Sequence, residues 1–207
     1  MMTLGSRTQD GGVSHHGFWA RYFLKLNEEL DMPRLQIIES DAAQGAAAET
    51  LKKAPFNIFK GMANNPGVME GLMSLSAAIS KSESLSPVES EAVMLRVSER
   101  NDCGYCLAAH SAIAEKHGVD AATAQAYRRG DAESSREKAL LAFVDAVAEK
   151  KGWIEDAELK SFKSAGFDDA AVVEVIAAIA WMTFTNLFNH VNGTELDFPA
   201  VPAVASV

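Results

Sequence analysis

Helix-start signals recur along most of this chain, and no alternating apolar–polar run competes with them. Asn65-Pro66 opens one stretch, with Pro66 at a tolerated first-turn position ahead of Val68, Leu72 and Leu75. Ser86-Pro87-Val88-Glu89 opens the next. Ser86 reads as N-cap, Pro87 as first helical residue and Glu89 as capping-box partner, with Val88, Ala92 and Leu95 as the apolar stripe. Asn101 and Asp102 read as caps of a further helix that stops near His117-Gly118. Asp120 caps a short one ending near Gly130. Ser134 to Glu137 is a second capping box ahead of Leu140, Phe143, Val144 and Val147, and Gly152 closes that helix. Ile154 to Ala165 is short and acidic at its start, and Asp168 caps a long final helix to about Asn192. Upstream, Ala46 to Lys53 is rich in helix formers and Pro55 interrupts it. There is no tandem repeat. The expected fold class is all-α: one compact helical domain over residues 41–207 behind an N-terminal extension, residues 1–40. Phe18, Tyr22, Leu26 and Leu30 suit a short helix in that extension, which is otherwise expected to be poorly ordered, and Met32 is an alternative start. The tail with Phe198-Pro199 and Pro202 is expected to lie on the surface or on a neighbour.

The composition narrows the functional classes. Hydrophobic residues make up 48% and charged residues 23% of the 207, which excludes wholesale disorder. A net charge of −9 argues against a nucleic-acid partner. The densest apolar stretch, Val172 to Met182, contains Glu174 and falls short of the roughly 20 apolar residues a bilayer needs. No apolar leader precedes Gly11-Gly12, so a cytoplasmic location is expected. Two cysteines are too few for a disulfide scaffold. In a reducing compartment such a pair is more often catalytic, redox-active or metal-binding.

Both cysteines lie in Asn101-Asp102-Cys103-Gly104-Tyr105-Cys106, with His110 four residues further on. At about 100° per residue, Cys103, Cys106 and His110 share one helix face. The positive end of a helix favours the thiolate, which is the reactive form. A CxxC pair can close a disulfide locally and pass electrons to an oxidant. A histidine at Cys106 plus four can relay the thiol proton, best when a carboxylate orients it. Glu91 is the natural carboxylate, with Glu89 and Glu99 as local competitors that read more simply as exposed helix charges. Inert buried thiols and a zinc site built from Cys103, Cys106, His110 and a glutamate are the competing readings. No second CxxC or HxxxH supports zinc. His117 reads as a helix-end residue, and His190, beside Asn186 and Asn189, as a core or interface histidine.

The order of Glu91, Cys103-Gly104-Tyr105-Cys106 and His110, the Leu85-Ser86 lead-in and the Gly118 stop resemble the signature of the alkylhydroperoxidase D-like (AhpD-like) and carboxymuconolactone decarboxylase superfamily. The resemblance covers mainly Leu85 to Gly118, and more loosely Pro55 to the C-terminus. It implies an all-helical bundle, a homo-oligomer (dimer, trimer or hexamer), and thiol-dependent reduction of hydroperoxides without haem, flavin, metal or other cofactor. Cys106 would attack the peroxide, Cys103 would resolve the sulfenic acid into a disulfide, His110 would relay the proton and Glu91 would act as its acid/base partner. A thiol–disulfide electron donor protein would recycle the pair. On the residues alone the order of attack stays open: helix-start placement favours Cys103 and spacing to histidine favours Cys106. Tyr105 stands where the best-known alkylhydroperoxidases carry a second histidine. The cysteine pair argues against a lactone decarboxylase, whose relatives lack it. A zinc-binding or non-catalytic redox-sensing module is the alternative.

Overall fold

Most helices begin where a side-chain oxygen accepts an otherwise unpaired backbone N–H. The computed structural model describes residues 33–204. Among them are nine helices and no strand: α1 (Gly45–Lys53), α2 (Asn57–Met62), α3 (Pro66–Lys81), α4 (Pro87–Arg100), α5 (Gly104–Lys116), α6 (Ala121–Arg128), α7 (Ser135–Glu149), α8 (Asp156–Ser164) and α9 (Asp169–Asn192). The all-α expectation holds. Asn65, Ser86, Asp120, Ser134 and Asp168 cap α3, α4, α6, α7 and α9 as the sequence predicts. The Ser86–Glu89 box is complete: Glu89 N–H donates to Ser86 Oγ at 3.2 Å and Ser86 N–H to Glu89 Oε2 at 2.8 Å. Gly193 ends α9 at φ 62°, a left-handed conformation that glycine adopts without a Cβ penalty. The helix expected over Phe18 to Leu30 lies outside the described residues.

Helix α4 is the hub. Its buried residues run from Glu89 through Ala92, Val93, Leu95 and Val97 to Ser98, so it is enclosed on more than one face. One apolar cluster joins Ala92 and Leu95 to Leu107, Ala114, Tyr127 and Leu141 across α5, α6 and α7. A larger one joins Val93 and Val97 to Leu51, Met69, Leu140, Val175 and Met182. Phe143, Phe162 and Phe167 stack in series at 4.2 and 4.3 Å between ring centres, and the Arg136 guanidinium lies 3.8 Å over Phe167. Arg136 Nε also donates to Glu89 Oε1 at 2.6 Å. Glu89 is therefore a buried structural carboxylate and not the exposed helix charge expected of it.

Two segments without regular structure close the fold around α9. Near the start of the described chain, the N–H groups of Arg34 and Leu35 donate to the Asn192 backbone and side-chain oxygens at 2.7 and 3.1 Å. After Gly193 the tail folds back on its own domain. Asp197 Oδ2 accepts from Asn57 N–H at 2.8 Å, and Pro202 O accepts from Arg128 at 2.8 Å. Helix α9 is long and apolar enough to cross a membrane by length and composition. Here one face is packed into the core, carrying buried Asn186, Asn189 and Asn192, and the other exposes Val173, Ile176, Phe184, Leu187 and Val191.

Candidate active site

The turn between α4 and α5 sets the site. Asn101 ends α4, and Asp102 sits at φ 53°, a left-handed conformation that Asp tolerates better than most residues. The chain reverses there, so Cys103 becomes the N-cap of α5. This corrects the capping expected of Asn101 and Asp102, which belong to the exit of α4. The Cys103 sulfur takes the place of a capping oxygen and accepts the Cys106 N–H at 3.4 Å. Both sulfurs thus lie at the positive end of α5.

Cys103 Sγ and Cys106 Sγ are 2.8 Å apart, and both cysteines are free and buried. This is inside ordinary contact, and at this separation one thiol proton can be shared between the two sulfurs. Closure to a disulfide of about 2.05 Å moves them by less than about 1 Å. The Asn189 side-chain amide donates to Cys106 Sγ at 3.2 Å and lies 3.8 Å from Cys103 Sγ. Asn186 accepts from the Asn101 amide at 2.8 Å, and its own Nδ2 is buried without a close partner. The Cys106 thiol donates to Cys103, which pulls the Cys103 pKa down to about 6. Burial opposes this, while the Cys106 N–H, the Asn189 amide and the His190 ring assist it. Cys106 is pushed upward because Cys103 holds its proton and because it is buried and faces the Cys103 charge. The amides of Asn186 and Asn189 pull it back. These opposed shifts favour one negative charge on the reduced pair at neutral pH.

The sign follows directly. A depressed first ionisation means that thiolate is present above about pH 6 and lost below it. An ultraviolet titration of the reduced protein is expected to show one thiolate appearing with a midpoint near 6, and no second one through the neutral range. Two thiols ionising together near the ordinary value of about 8.5 would contradict the shared proton.

His110, one turn further along α5, places Nδ1 2.8 Å from Glu91 Oε2. A carboxylate only accepts, so Nδ1 carries the hydrogen and Nε2 is left as the working nitrogen. Cys106 and His110 line one cavity of about 200 Å³, walled by Phe56, Ile58, Phe59, Trp181 and Phe198. Cys103 does not line it. Tyr105 also borders the cavity, with its hydroxyl turned to Asp197 Oδ2 at 2.5 Å. Burial and the Asp197 carboxylate hold that hydroxyl protonated well above neutral pH. Among the described residues, no charged side chain apart from His110 borders this cavity.

The structure thus brings together all four sequence-predicted residues: Cys103, Cys106, His110 and Glu91. Glu99 instead pairs with Arg128 Nε at 2.7 Å. His190 is exposed rather than in the core, and its ring nitrogen lies 3.1 Å from the Asp102 carbonyl oxygen. Asn186 and Asn189 point inward to the sulfurs, and the signal that could have found them is the three-residue repeat Asn186, Asn189, Asn192 on an otherwise apolar helix. Among the described residues no three His, Cys, Asp or Glu side chains form a group able to hold a metal ion. Two sulfurs on one tetrahedral zinc at about 2.3 Å each stand nearly 4 Å apart, well beyond the spacing found here.

Residues 66–149 match the sequence model of the carboxymuconolactone decarboxylase family. The fold resembles an uncharacterised peroxidase-related protein with an AhpD core from Ralstonia eutropha JMP134, with a TM-score of 0.72, 22% identity, and coverage of 80% of this chain and 93% of that one. The matched segment is similar to that family, and the fold of the chain is AhpD-like. Other solved structures share the fold. The debrominase Bmp8, solved with 2,3,4-tribromopyrrole, aligns with a TM-score of 0.64 and 22% identity, covering 81% of this chain and 91% of that one. An Agrobacterium tumefaciens protein of unknown function, described as a putative antioxidant defence protein AhpD, aligns with a TM-score of 0.59 and 21% identity, covering 66% and 94%. No curated protein matches the chain. The segment matched to the family holds Glu91, Cys103, Cys106 and His110, whereas Asn186, Asn189, Phe56, Trp181 and Phe198 lie outside it.

Proposed function

We propose that this protein is a thiol-dependent peroxidase that reduces organic hydroperoxides through the Cys103–Cys106 dithiol. The observation that carries this reading is the placement of Cys106 on an apolar cavity, 2.8 Å from a second sulfur and beside a histidine held by a carboxylate. Cys106 is the attacking residue because it borders the cavity and Cys103 does not. The shared proton passes to Cys103, and the Cys106 thiolate attacks the distal peroxide oxygen. The O–O bond breaks, Cys106 becomes a sulfenic acid, and His110, which takes up a solvent proton at Nε2, delivers it to the departing alkoxide. Cys103 then attacks the Cys106 sulfur, forming the S–S bond and releasing the sulfenic oxygen as water. The sum is two thiols and one hydroperoxide giving one disulfide, one alcohol and one water. A thiol–disulfide donor protein returns two electrons and two protons in the reducing cytoplasm. The exposed apolar stripe of α9 suits a homo-oligomer.

The test is a thiol count on reduced protein before and after one equivalent of cumene hydroperoxide, with peptide mass mapping. The expected result is loss of two thiols, one Cys103–Cys106 bond and one equivalent of alcohol. Thiols that survive excess peroxide would overturn the reading. Oxidation that no added thiol donor reverses would favour a sensor.

A further inference from the structure

The four residues of the proposed chemistry lie within the family-matched segment, and half of the residues lining the cavity come from outside it. The last contributor along the chain is Phe198, in the tail that follows α9. Its ring centre lies 5.0 Å from that of Phe56 and 6.3 Å, edge-on, from that of Tyr105. The backbone beside it is tied down independently of the ring. Asp197 accepts from the Tyr105 hydroxyl and from the first N–H of α2, Asn57 Nδ2 donates to the Glu195 carbonyl oxygen at 3.3 Å, and Pro202 O is held by Arg128. The tail is a strap pinned on both sides of one aromatic residue.

Resting on the peroxidase reading, we infer that Phe198 is a specificity-determining residue: its ring closes the Cys106 cavity and restricts substrates to compact, uncharged alkyl or aryl hydroperoxides. A volume near 200 Å³ is below the range of drug-sized pockets and admits a small hydrocarbon group, not a long chain. Among the described residues no lysine or arginine borders it to neutralise a carboxylate, so a fatty-acid hydroperoxide meets both a size limit and an unpaired charge there. Tyr105 has a place in this arrangement. Where the best-known relatives carry a second histidine, this chain carries a phenol that anchors the strap.

The experiment compares full-length wild type with Phe198→Ala and the milder Phe198→Leu. One arm measures kcat/KM for tert-butyl hydroperoxide, cumene hydroperoxide and linoleic acid hydroperoxide. The expected result for Phe198→Ala is a shift of about tenfold or more in the ratio of the linoleic acid value to the tert-butyl value. The second arm needs no turnover. Reduced proteins are alkylated with iodoacetamide and with pyrenyl maleimide, and modification of Cys106 is followed by mass. Phe198→Ala is expected to raise the rate with the bulky reagent about tenfold relative to the small one, with Phe198→Leu between. Ratios unchanged in both variants overturn the inference. A shifted alkylation ratio in a protein that consumes no peroxide upholds the wall and rejects the peroxidase reading alone.

Discussion

Serine at position 106 is expected to abolish hydroperoxide consumption, a loss of about a thousandfold or more, while serine at position 103 leaves one slow, unrecycled oxidation. The asymmetry comes from placement. Cys106 borders the cavity and Cys103 sits behind it, 2.8 Å away. Without Cys106 the remaining thiol does not border the cavity. Without Cys103 the nucleophile remains but loses both its proton acceptor and its resolving partner, and its sulfenic acid accumulates where a dimedone label can capture it. Steady-state rates with cumene hydroperoxide, paired with dimedone mass shifts, check both halves. Sustained turnover by Cys106→Ser, or a dimedone adduct on Cys103 in wild type, would reverse the assigned order of attack.

The second large effect concerns the histidine. Glu91→Gln keeps the shape and a hydrogen-bonding oxygen but removes the charge that stabilises a protonated His110 ring. His110→Ala removes the ring itself. Both are expected to lower kcat/KM by between about a hundredfold and ten-thousandfold, with His110→Ala the more severe. The two losses are expected not to add, because each residue acts through the same 2.8 Å contact. The double variant is therefore expected to match His110→Ala. The thiolate titration with its midpoint near 6 is expected to survive Glu91→Gln, since its main cause is the Cys106 thiol. Activity within threefold of wild type in both single variants would remove the proton relay from the mechanism.

Much of this arrangement was legible in local sequence. The caps at Asn65, Ser86, Asp120, Ser134 and Asp168 are short-range signals, and the structure places them as read. The convergence of Cys103, Cys106 and His110 follows from helical periodicity over eight residues. What escaped depends on distant contacts. Helix α2 begins at Phe56 with no side-chain cap, and its Ile58 and Phe59 matter only because they meet the cavity. Glu89 reads as a surface charge until Arg136, 47 residues away, closes over it. Asn189 lies 83 residues from Cys106, and no local pattern tells which of its neighbours turns inward. Asn101 and Asp102 show the opposite failure. They are good cap residues, yet the left-handed turn at Asp102 passed the cap to Cys103.

The short separation between the sulfurs has a consequence for endurance. In thiol peroxidases a sulfenic acid that waits for its partner can meet a second oxidant and pass to the sulfinic state, which ordinary thiol donors do not reverse. Here the partner is already in contact, and no helix must unwind to bring it closer. On the peroxidase reading, such a pair is expected to tolerate a flood of oxidant without self-inactivation, and for the same reason to keep no lasting record of having met one.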